Sequence, residues 1–192
     1  QPLLHEAIID QQSVAMVHAG VNPRWSWSET RARARRAEAA LQSDDGLREL
    51  ALAHPTRKAH RYRSLAHDTP QWIQDLEWFT RVRALCPDLT PHARFKGQLT
   101  EMDDELTPWF SAYEAQRSLA HDQESPDMLY FGHWAALGFH ETQRCTAIDL
   151  GCIWGRGLGA IRVEDRAIFT TPTAEVPHTP KPRRVSPRAL SS

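Results

Sequence analysis

Two short apolar runs, far apart in the chain, stop in the same way: AMVHAG at residues 15–20 and YFGHWA at residues 130–135. Residues 13–17 are apolar and partly β-branched, the pattern of a short buried strand, and residues 128–131 repeat it. Each run delivers a histidine, His18 or His133, among small neighbours. The sequence between them is patterned for helices. One sheet must therefore draw strands from both ends of the chain around a helical middle, which predicts a layered α/β (α+β) fold and excludes a simple bundle.

The helical middle can be divided. Ser26-Trp27-Ser28-Glu29 has the spacing of a capping box, and ETRARARRAEAALQ continues it until Asp44-Asp45-Gly46 predicts a stop. Arginines 31, 33, 35 and 36 are spread around that helix, as on a solvated face, with a phosphate patch as the alternative. Residues 54–68 are basic and histidine-rich and read as a loop or ragged helix. His54, His60, His67 and His92 fit no compact ligand set. Thr69-Pro70 predicts a further helix start, with Trp72, Leu76, Phe79 and Cys86 on its inner stripe. An acidic turn follows at residues 103–105, and Pro108-Trp109-Phe110 forms a packing point.

Toward the ends, residues 1–10 read as the close of a helix or loop, an amphipathic segment already under way that predicts sequence upstream. Residues 145–148 and 159–163 read as paired strands, with Ile168-Phe169 opening a third. Residues 171–192 are rich in proline, serine and arginine and predict a disordered tail.

The composition excludes several classes. A formal net charge of −1 gives no basis for binding duplex nucleic acid or an anionic membrane. The sequence has no apolar run of about 18 residues, so no membrane span is expected. Three cysteines, Cys86, Cys145 and Cys152, form no CxxC pair, which favours a reducing, cytoplasmic setting over a structural zinc site.

A histidine closing one strand is commonly a hydrogen-bonded structural residue. Two of them carry more weight, because layered α/β proteins gather ligands at the C-terminal ends of strands. Two neutral imidazoles suit a divalent metal, but two ligands do not hold one; carboxylates or an amide oxygen must complete the shell.

The strings AMVHAG with VNPRW, FTRVRALC, PWF, YFGHWAAL, and AIDLGCIWG with IRVED occur in an order that resembles the bacterial symmetrical bis(5′-nucleosyl)-tetraphosphatases of the metallophosphoesterase superfamily. The match is strongest at residues 14–25, 79–86 and 129–169 and covers only the C-terminal part of that family. The resemblance implies the C-terminal part of a metallophosphoesterase-like β-sandwich over residues 1–170, with a helical insertion at about 26–125. It implies that His18 and His133 ligate one ion of a two-metal centre using Mn2+ or Co2+, which clamps a phosphate and activates water. Diadenosine tetraphosphate, a dinucleoside polyphosphate, is then the substrate and two ADP the products; nucleotide-capped RNA ends suit the same chemistry. Arg81 and Arg83 match the arginines expected to grip polyphosphate. On a helix, residues two apart diverge, so one of the two should face the site, with Arg81 preferred. Trp134 and Asp149 are the remaining substrate-side residues, Asp149 with a structural role as its alternative.

The family's GDxHG, GD and GNHD motifs, which carry the other metal ligands and the catalytic histidine, do not occur in residues 1–192. A tyrosine- and tryptophan-containing stretch is unrecognisable across residues 50–68, and Glu77 replaces an expected amide. These departures leave two alternatives to the enzyme: a truncated remnant or module that binds nucleotide or a partner without hydrolysis, and a phosphoprotein metallophosphatase.

Overall fold

The computed structural model describes residues 1–53, 69–92, 94–119 and 122–174. Strands β1 (Leu4–Ile9) and β2 (Gln12–Val17) lead into helices α1 (Trp27–Leu41), α2 (Asp44–Ala53) and α3 (Gln71–Arg81). Short strands β3 (Ala84–Leu85), β4 (Pro91–His92) and β5 (Thr107–Pro108) precede helix α4 (Trp109–Leu119). The chain returns through β6 (Met128–Phe131), β7 (His140–Glu141), β8 (Cys145–Ala147), β9 (Leu158–Ile161) and β10 (Ile168–Thr171). The result is a mixed α/β fold, as the sequence predicts.

The main sheet runs β1-β2-β6-β8-β7. Its three central strands, β2, β6 and β8, are mutually parallel, while β1 and β7 flank them antiparallel. Side chains alternate across the sheet. Ala15, Val17, Leu129, Phe131, Cys145 and Ala147 enter a core shared with Trp27, Trp78, Phe79, Trp109, Phe110 and Tyr113. Val14, Met128 and Tyr130 form a second cluster with Ile148, Ile161 and Val163. Strand β6 is thus buried on both faces, which explains its unbroken apolar run MLYF.

Several expectations change. Residues 1–10 hold a strand, not the end of a helix or loop: β1 pairs with β2 through a tight turn in which Asp10 and Gln11 have φ of 47° and 67°. Such left-handed turns match the twist of a hairpin. Helix α1 does end at Leu41, just short of Asp44-Asp45-Gly46, but those residues at once open α2, where Ser43 Oγ accepts the Gly46 N–H at 3.0 Å. Helix α3 ends at Arg81, so Cys86 lies beyond its stripe, and Ile73, Asp75 and Trp78 join Trp72 and Phe79 as its buried residues. Strand β8 pairs with β6 and β7, whereas β9 pairs with β10. Residues 54–68, with His54, His60 and His67, lie outside the described residues, as do residues 175–192 of the expected tail. Among the described residues no helix is long and apolar enough to cross a membrane.

Candidate functional site

The site starts from the parallel register of β2 and β6. Val17 stands opposite Phe131, and the Gly132 N–H donates to the His18 carbonyl at 3.0 Å, carrying the ladder one step past both strands. That register sets the two histidines side by side. His18 Nε2 and His133 Nδ1 are 3.1 Å apart, with ring centroids 4.9 Å apart and planes tilted by 55°. The third central strand adds Asp149 two residues after β8. The Asp149 Cβ lies 3.7 Å from where a Gly132 Cβ would stand, and its Oδ1 accepts the Gly151 N–H at 2.8 Å.

The turn after His18 is anchored on the helical layer. The Ala19 N–H donates to the Phe79 carbonyl at 2.9 Å. A side chain at Gly20 would come within 2.7 Å of the Trp109 ring and of Val82 Cγ1, so glycine permits this close approach. His133 has φ of 65°, a left-handed conformation costly for a residue with a Cβ. Its carbonyl accepts Arg83 Nη2 at 3.2 Å.

Burial, together with the charge of Arg83 and the nearness of the His18 ring and of Arg81, drives the His133 pKa down to about 4, partly offset by the Arg81 backbone. The ring is therefore neutral near pH 7, the state a metal requires of imidazole. Its Nε2 is buried without a hydrogen-bond partner. The two nitrogens meet at hydrogen-bond distance, one ring donating to the other; with that proton removed, nitrogens so spaced are close enough to share a cation about 2.0–2.1 Å from each. Among the described residues no third histidine, cysteine or carboxylate completes a metal-binding group.

The other sequence candidates fall on different sides of this pair. Arg83 lies beyond the helix, since Val82 is extended with ψ of 140°, so helical divergence does not separate it from Arg81. Arg83 touches the His133 loop; Arg81 is 59% exposed beside Glu77, at 4.0 Å. Burial raises the Glu77 pKa against the pull of Arg81. Trp134 is fully buried, edge-on to Phe95, and its indole N–H donates to the Gly97 carbonyl at 2.8 Å, so it supports the loop from inside. The sequence offers both arginines but ranks Arg81 first by placing the two on one helix; α3 in fact ends at Arg81 and the chain turns into β3, whose pairing with β4 and β5 no local pattern announces.

The fold and site define a layered α/β protein with a histidine pair and two arginines at the C-terminal edge of parallel strands. Comparison with known proteins places that description. The chain is 34% identical over 88% of its length to "Bis(5'-nucleosyl)-tetraphosphatase, symmetrical" of Actinobacillus pleuropneumoniae, covering 60% of that protein. Proteins of the same name match at 31% identity over 90% of the chain in Methylobacillus flagellatus and over 92% in Dechloromonas aromatica. The chain spans 58% and 61% of those two relatives. No family model matches the chain. The chain thus resembles the bacterial symmetrical bis(5′-nucleosyl)-tetraphosphatases over most of its length, and its share of theirs is consistent with a C-terminal portion.

Proposed function

We propose that the chain forms the C-terminal part of a hydrolase that splits diadenosine tetraphosphate into two ADP. The convergence of His18 and His133 at the ends of adjacent parallel strands carries this reading. The two imidazoles would hold one divalent cation, Mn2+ or Co2+, with the remaining donors supplied from outside the described residues. Bound there, the cation supplies Lewis-acid stabilisation of phosphate charge. Arg83 and the exposed Arg81 present guanidinium groups to the polyphosphate, while Asp149 and the buried Trp134 hold the shape of the loops around it. The five-stranded sheet is one layer of a metallophosphoesterase-like β-sandwich flanked by helices. Nucleotide-capped RNA ends offer the same phosphoanhydride chemistry. With two ligands present, the chain alone binds Mn2+ weakly and releases no ADP. A non-hydrolytic nucleotide-binding module is the second reading, favoured by the lack of a third ligand among the described residues.

The test titrates Mn2+ into the chain by paramagnetic resonance and assays ADP release from diadenosine tetraphosphate. Mn2+ binding is expected, lost in His18→Ala and in His133→Ala. Binding that both variants retain would overturn the ligand assignment; turnover that either variant abolishes would overturn the inactivity of the chain alone.

A further inference from the structure

Six of the seven tryptophans are buried, but Trp154 is 62% exposed and Ile153 beside it 84%. Packing within the described residues therefore does not account for this large aromatic. Its position relative to the histidines is informative. Trp154 sits on a 3-10 turn, Cys152–Trp154, that begins just after Asp149. Gly151 has φ of 79°, a left-handed conformation that turns the chain sharply there. A Cβ on Gly151 would lie 3.4 Å from both Ala135 Cβ and Trp154 Cδ1, so the indole adjoins the loop that carries His133. Arg156 Nη1 fastens the two loops by donating to the Ala135 carbonyl at 3.3 Å. The turn is thus an anchored shelf at the rim of the site, presenting one aromatic ring to solvent.

We propose that Trp154 is the platform on which the base of a bound nucleotide stacks, making it a specificity residue for nucleoside polyphosphates over inorganic ones. This rests on the proposed phosphate site. A nucleotide whose phosphates lie at the histidines and at Arg81 and Arg83 must direct its base over a neighbouring loop. The Asp149–Arg156 loop offers an exposed indole for it. Aromatic stacking tolerates any base, because every base has a π-face. The residue gives preference for nucleotides as a class, not for adenine.

The full chain with Mn2+ present tests this by calorimetric titration with ADP and, separately, with inorganic pyrophosphate. Trp154→Ala is expected to weaken ADP binding about tenfold or more, the scale of one lost base stack, leaving pyrophosphate binding unchanged. Trp154→Phe should restore most of the ADP affinity. ADP and pyrophosphate affinities that fall together, or an unchanged ADP affinity with a lowered melting temperature, would overturn the stacking role and make Trp154 a packing surface. Pyrophosphate binding without ADP preference in the wild type would sink the stacking role alone; binding of neither ligand would sink the phosphate site as well.

Discussion

At the scale of single residues, the backbone of His133 is the most telling feature. Its φ of 65° is a conformation that L-residues adopt at a cost of about 1–2 kcal/mol, and such strain collects at functional sites. It persists because Arg83 holds the His133 carbonyl and the Gly132 N–H is fixed to His18. His133→Gly should therefore be more stable than His133→Ala by about 1 kcal/mol, the reverse of their order where φ is negative. Urea denaturation of the two variants measures this; equal midpoints would mean that the loop relaxes when the imidazole is removed. The histidine pair itself was legible in the sequence, since two apolar runs end alike. The strain and the Arg83 contact were not, because both arise where separate segments meet.

At the scale of elements, the arginines of α1 show why a charge run can mislead. Read as a solvated face, they include Arg31, which pairs with Glu6 and Glu124, and Arg33, which bridges Glu29 and Asp75. The Asp75 side chain is 0% exposed on α3 and also accepts Gln71 Nε2 at 2.9 Å. Arg33 therefore joins α1 to α3 through a buried carboxylate. Removing one partner of such a pair strands the other, so Arg33→Met should cost about 3–5 kcal/mol. The double variant Arg33→Met/Asp75→Leu should recover much of that loss. Thermal and urea unfolding report both, and a loss under about 0.5 kcal/mol in the single variant would remove the pair from the account of helix packing. Helix α1 was readable from Ser26, whose Oγ accepts the Glu29 N–H at 3.1 Å. Helix α2 was not, since Asp44 and Asp45 suit a first turn as well as a stop, and Ser43 decides between them. The partners of β8 were equally hidden, because parallel pairing is settled by strands distant in sequence.

For the molecule as a whole, the question is how histidines 115 positions apart are brought together. The helical segment between them starts and finishes at one place. Arg117, at the end of α4, donates to the Trp25 and Pro23 carbonyls and pairs with Asp122 at 2.5 Å. Asp122 in turn accepts the Trp27 N–H at 2.8 Å, where α1 begins. Beyond it, Asp127 and Ser13 exchange hydrogen bonds at 2.8 Å, tying the exit of the helical layer to the entry of β2. Burial raises the Asp122 pKa, but the Trp27 and Glu124 N–H groups, the Arg117 charge and Ser125 outweigh it, leaving the carboxyl below its ordinary value. A carboxylate with a lowered folded pKa contributes stability that is present above its unfolded pKa and is lost as pH falls through the folded one. Asp122→Asn should therefore be less stable than the wild type at pH 7, and the gap should close progressively below about pH 5. Other acid-sensitive groups, including Glu6 beside Arg31, are common to both proteins and cancel in the difference. Urea midpoints for both proteins at pH 7, 5, 4 and 3, as chosen conditions, measure the gap. A gap that stays constant down to the lowest pH would mean that the Asp122 charge does not hold the two ends of the helical layer together.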